Sequence, residues 1–84
     1  MRIGSAHYAH IRDAINALDR DKITAHKEAL RGDGRVKDLE MRFRWDLLWA
    51  SGLSRWISDT LYPTGVNDDH IDTALRKVVR ELGL

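Results

Sequence analysis

Residues 36–61 read VKDLEMRFRWDLLWASGLSRWISDTL, and the spacing of their apolar side chains decides what kind of domain this is. At about 100° per residue, Leu39, Phe43, Leu47, Ala50, Ile57 and Leu61 fall within about 80° of one another, as the core face of a helix does. Met41, Trp45, Leu48, Trp49 and Trp56 form a second stripe on the far side of the same wheel, leaving Glu40, Arg44, Ser51, Arg55 and Ser58 as the polar strip. An element apolar around most of its circumference is a central one. Both stripes keep phase across Gly52, so the spacing predicts one long helix from about residue 36 to about residue 61, roughly 26 residues or ~39 Å. The alternative is two helices joined at Gly52, where glycine costs ~1 kcal/mol against alanine in a helix interior, with Ser54 capping the second.

Upstream, Tyr8, Ile11, Ile15 and Leu18 recur at helical spacing behind Ser5, the predicted N-cap of a first helix. Ile23, His26 and Leu30 sit roughly 90° out of phase with that stripe, which places a turn at Asp19-Arg20-Asp21. Either aspartate then caps a second helix ending near Arg31, and Gly32 and Gly34 are expected to supply left-handed backbone angles at its exit. Downstream, Tyr62-Pro63-Thr64-Gly65 terminates the central element. Asn67, Asp68 or Asp69 caps a last helix whose apolar face is Ile71, Leu75, Val78, Val79 and Leu82, with Arg76, Lys77 and Arg80 late, where positive charge suits the macrodipole. The expected fold is all-α: a single domain over residues 1–84, with four to five helices around the long central one.

Eighty-four residues suffice for one core, and 43% hydrophobic against 32% charged residues with a single proline exclude a disordered tail. Fourteen basic and thirteen acidic side chains leave a net charge of +1, unlike a polybasic membrane anchor or nucleic-acid coat. The absence of cysteine excludes disulfides, thiolate metal sites and a cysteine nucleophile. No apolar run approaches the ~18 residues of a membrane span, and the first residues lack the pattern of a secretory signal, so the expected location is the cytoplasm.

Several constellations could carry chemistry. His7, His10 and Asp13 share a helical face at metal-ligand spacing, but two imidazoles and a carboxylate need a further ligand that no other residue is bound to supply, and no metal or cofactor is assigned. His26 reads as a partly buried histidine with a satisfied ring nitrogen. Asp68, Asp69, His70 and Asp72 could support acid-base chemistry, yet acids in a helix's first turn complement its exposed amides without any such role. Arg31, Arg35, Lys37, Arg42 and Arg44 form an arginine-rich stretch that would suit phosphates, diluted by Glu28, Asp33, Asp38 and Glu40. Arg42 with Asp46 also reads as an i,i+4 ion pair.

The three tryptophans are the sharper signal. On a continuous helix Trp45, Trp49 and Trp56 project within about 40° of one another. A domain this small has limited means of covering both stripes, so one is expected to stay partly open. Trp45, Trp49 and Trp56 flanked by Arg42, Arg44 and Arg55 have the composition of a binding hot spot.

At Arg44-Trp45-Asp46-Leu47-Leu48, Leu61-Tyr62-Pro63 and Asn67-Asp68-Asp69-His70-Ile71-Asp72-Thr73-Ala74-Leu75 the chain resembles a group of short bacteriophage- and prophage-encoded proteins with no assigned activity. The resemblance implies a phage accessory protein acting in the host cytoplasm by binding a host or phage macromolecule. The expected function is therefore non-enzymatic: self-association into a homo-oligomer or docking onto another protein through the aromatic stripe. The alternative is a nucleic-acid-associated protein using residues 31–44.

Overall fold

The computed structural model describes residues 5–62 and 68–84. The predicted terminator at Pro63 to Gly65 and the cap at Asn67 lie outside these residues, as do the side chains of Ser5 and Asp68. Within them the chain is all-α and forms α1 (Ser5–Asn16), α2 (Arg20–Arg31), α3 (Leu39–Ala50), α4 (Leu53–Thr60) and α5 (Asp68–Leu82). None of these helices is long and apolar enough to cross a membrane.

The turn between α1 and α2 falls at the predicted phase slip. Asp19 adopts an extended backbone and its carboxylate accepts from the amides of Asp21 (2.9 Å) and Lys22 (3.4 Å). That satisfies donors that a first helical turn leaves open. The exit from α2 differs from expectation: Gly32 is right-handed, and the only described residues with positive φ are Gly52 and Gly83. Asp33 instead organises this loop, its carboxylate accepting from the Arg35 amide and guanidinium.

The long central helix is also corrected. Asp38 takes an extended conformation and accepts from the Met41 amide at 3.0 Å, so α3 starts at Leu39 rather than Val36. It stops at Ala50. Gly52 then has φ +74°, closing α3 by donating to the Trp49 carbonyl (3.1 Å) and serving as the N-cap position of α4, so Ser54 is not the cap. A single left-handed residue strains any side chain bearing a Cβ by roughly 1–2 kcal/mol, and glycine escapes that strain. Phase alone missed the break because one left-handed residue can redirect a chain while the apolar spacing on both sides still matches.

Although short, α3 is the central element: it packs against α1, α2, α4 and α5, while α1 also packs on α5. Ile11 and Ile15 from α1, Phe43, Leu47 and Leu48 from α3, Ile57 from α4 and Ile71, Leu75 and Val78 from α5 make the buried centre. Leu48, assigned by periodicity to the second stripe, is therefore core, and Ala50, assigned to the first, is exposed. The end of α5 closes with a left-handed Gly83, the Gly83 amide bonding to Arg80 and the Leu84 amide to Val79. These are the two bonds of a Schellman motif. Arg20 and Lys27 of α2 donate to the main-chain oxygens of Leu82 and Leu84, tying α2 to this end.

Candidate functional site

The break at Gly52 sends the three indoles to different places. Trp56, on α4, lies against α1: its ring stacks on His10 at 4.3 Å between centroids and meets His7 edge-on at 5.7 Å. His7 and His10 thus serve as a platform for Trp56, and Asp13 pairs with Arg12 at 3.0 Å. No group of three or more His, Cys, Asp or Glu side chains among the described residues converges to hold a metal. Trp45 is partly buried against the core. Trp49, one helical turn further along α3, is 68% exposed.

Trp49 stands on the edge of an apolar groove of about 320 Å³ between α2 and α3, floored by Leu18, Ile23, Leu47 and Ala50. His26 and Asp46 span the groove's wall: His26 Nε2 lies 2.7 Å from Asp46 Oδ2, and Asp46 also accepts from Arg42 Nε at 3.1 Å. His26 is therefore bonded as expected, although its ring is more exposed than expected. Toward the start of α3 a second groove, about 330 Å³, runs beside Val36, Lys37, Met41, Arg42 and Trp45. Met41, Trp45 and Trp49 are spaced i, i+4, i+8, so they form one ridge along α3, with the first groove beside Trp49 and the second beside Met41 and Trp45. Met41 at 45% and Trp49 at 68% exposure are two of the large apolar side chains left open to solvent.

Arg44 belongs to the inside of the molecule. It is 6% exposed, and its Nε donates to Asp72 Oδ1 of α5 at 2.8 Å, while Arg76 Nε donates to Asp72 Oδ2 at 2.9 Å. Burial pushes the Asp72 carboxyl up, but the hydrogen bonds and charges of Arg44 and Arg76 outweigh it and hold Asp72 below the usual carboxylate range. Arg44 is accordingly removed from both the docking set and the nucleic-acid set, and Asp72 from the acid-base cluster, because each is the other's structural counter-ion. Arg55 remains exposed on α4 beyond the break, 3.6 Å from Asp59.

The arginine-rich stretch is locally neutralised. Arg31 pairs with Glu28 (3.0 Å), Arg35 with Asp33 (3.1 Å) and Arg42 with Asp46 (3.1 Å), leaving Lys37 exposed between them. Hydrogen bonds from Arg35 hold Asp33 below its usual range. A polar recess of about 540 Å³ where the start of α3 meets the end of α5 mixes Arg44, Arg76 and Arg80 with Asp38 and Glu40. Neither surface presents the clear cationic excess that phosphate binding uses.

Sequence reading missed the groove floor and the contacts of His26 with Asp46 and of Arg44 with Asp72. Leu18, Ile23 and Ala50 were visible as apolar positions, but nothing in the spacing says that they meet. His26 and Asp46 are 20 residues apart and Arg44 and Asp72 are 28 apart, so no helical period links them. Compared with known proteins, the chain matches no protein-family model, no curated protein and no solved structure.

Proposed function

We propose that this chain is a non-enzymatic protein-interaction module that docks through the α3 ridge. The observation that carries the reading is Trp49: an indole 68% exposed at the edge of an apolar groove. Tryptophan beside a concave apolar pocket is the arrangement on which interface energy concentrates. The charged groups around it support binding rather than chemistry, since Asp46 is held between His26 and Arg42 and Asp72 between Arg44 and Arg76. The likeness to short phage-borne chains agrees with a binding role. Of the six residues expected to dock, Trp45, Trp49 and Arg42 remain and the exposed Met41 joins them, while Trp56 lies against α1, Arg44 is buried and Arg55 stands beyond the break on α4.

Photo-cross-linking tests this. A benzophenone side chain introduced at position 50, which is exposed and lines the groove beside Trp49, and expressed in the cell that carries the gene is expected to give discrete protein adducts. The same group at position 55, beyond the break, is expected to give few. Equal labelling from the two positions, or none from position 50, would overturn the reading.

A further inference from the structure

We propose that the recess where the start of α3 meets the end of α5 binds a small organic monocarboxylate, with its charge on Arg44 and Arg80 and its hydrocarbon against Val79 and Leu84. At about 540 Å³ the recess has the volume of a small-ligand site. It shares no residue with the groove beside Trp49, so it adds a site to the docking reading rather than resting on it.

The carrying observation is the edge of Arg44 that Asp72 does not use. Arg44 is 6% exposed and lines the recess, and its Nε donates to Asp72 Oδ1 at 2.8 Å. Its two terminal nitrogens donate to no described residue, yet they are not sealed from solvent. A guanidinium presents that terminal pair as two parallel N–H donors, which match the two oxygens of a carboxylate. Donors surrounded by protein on most sides are also screened less than those on an open surface, so an anion gains more there.

Arg80 supplies the second charge. It is exposed in the last turn of α5 and makes no ion pair among the described residues. The carbonyls at this end of α5 are taken: those of Val79 and Arg80 accept from the Leu84 and Gly83 amides, and the main-chain oxygens of Leu82 and Leu84 accept from Arg20 and Lys27.

The acids of the recess are turned to other partners. Asp38 Oδ1 accepts from the Met41 amide at 3.0 Å, Glu40 pairs with Lys27 at 3.4 Å, and neither lies within ion-pair distance of Arg44, Arg76 or Arg80. Their charges still repel an anion, and this sets the class of ligand. A single negative charge is drawn by the two guanidiniums, whereas a dianionic phosphate meets twice the repulsion without the cationic excess to offset it. Val79 and Leu84 then give a short hydrocarbon chain an apolar wall.

An NMR titration of the full chain with butyrate, at ionic strength held constant with sodium chloride, tests the site. The guanidinium signals of Arg44 and Arg80 and the amides of Glu40 and Gly83 are expected to shift along one saturable curve, with a dissociation constant on the order of 1–10 mM. Butanol, which lacks the charge, and inorganic phosphate, which lacks the hydrocarbon and adds charge, should each bind at least about 5-fold more weakly. Because replacing Arg44 disturbs the fold, two exposed positions carry the comparison. Arg80→Gln should weaken butyrate by about 2–5-fold, and Glu40→Gln should tighten it by about 2-fold. Trp49→Ala should leave the titration unchanged, so failure of the docking reading and failure of this site are told apart. Shifts that stay linear without saturating, phosphate binding as tightly as butyrate, or Arg80→Gln binding as well as the wild type would each overturn the proposal.

Discussion

Arg44 and Trp49 stand on the same helix, five residues apart, and each lies on the side of the molecule where its chemistry would place the other. The guanidinium is 6% exposed, in contact with Asp72 of α5; the indole is 68% exposed, beside a groove that the domain leaves open. The inward inversion is compensated by hydrogen bonds and opposite charge. The outward one has no compensating partner among the described residues. What separates them is how far each residue depends on the rest of the fold: the α5-facing side of α3 holds the domain together, and altering the solvent-facing side should cost it little. Stability and association should therefore respond to different substitutions.

The largest effect is expected on the buried side. Asp72→Ala leaves the Arg44 charge buried with no carboxylate, and breaking such a pair costs about 3–5 kcal/mol in urea unfolding. Arg44→Met should cost less, because Asp72 keeps Arg76 at 2.9 Å and is the more exposed partner. The pH dependence follows in sign. The native Asp72 pKa is depressed, so in acid the unfolded state binds its proton first and stability rises with pH. The contribution is fully present above the unfolded aspartate value of about 3.9 and is lost as pH falls through the lower native value. Asp72→Asn should flatten this acid limb, and an unchanged limb would mean that the pair does not set it.

The next effect belongs to the break between α3 and α4. Gly52→Ala is expected to cost about 1–2 kcal/mol, all of it backbone strain, since an added Cβ would meet nothing within 4 Å. Gly34→Ala is the control: its φ is not left-handed and its surroundings are equally open, so it should be neutral or stabilising by about 0.4–1 kcal/mol. Thermal unfolding of both proteins separates a strained glycine from a merely permissive one.

These positions also show what the sequence could disclose. The turn at Asp19-Arg20-Asp21 was legible because its evidence is local, a phase slip with acids beside amides that need an acceptor; that Asp19 rather than Asp21 is the cap was left open and is settled by its extended backbone. The last helix was legible because Ile71, Leu75, Val78 and Val79 hold one period and are all buried. The break at Gly52 was offered as an alternative and is what the chain adopts; apolar phase outweighed it although Ser51-Gly52-Leu53 is an ordinary helix exit. Arg44 was misplaced for a different reason. Its inward orientation depends on Asp72, contributed by another helix, and hydropathy marks an arginine as surface whatever lies opposite. The open indole was anticipated as one stripe too many for so small a domain, but which of three indoles stays open depends on His7 and His10 covering Trp56, which no spacing within α3 or α4 reveals.

A smaller effect is expected at the wall of the groove. His26→Ala removes the contact to Asp46 between α2 and α3, but the His26 ring is exposed to solvent and Asp46 retains Arg42. Its loss should cost only about 0.2–1 kcal/mol in urea unfolding, and less in high salt. A cost comparable to that of Asp72→Ala would show that the outer face also holds the domain together and would erase the contrast drawn between the two sides of α3.

The smallest effect on folding, and the most informative, is that of Trp49→Ala. Because the indole is mostly in water already, its removal should change stability by no more than about 0.5 kcal/mol in either direction. The same substitution should abolish docking, since it deletes the largest exposed apolar group of the ridge. Urea unfolding isolates the first effect, and loss of the adducts formed from a benzophenone at position 50 isolates the second. A tryptophan that served only to complete the core would reverse the result, with a loss of several kcal/mol on folding and no change in the adducts.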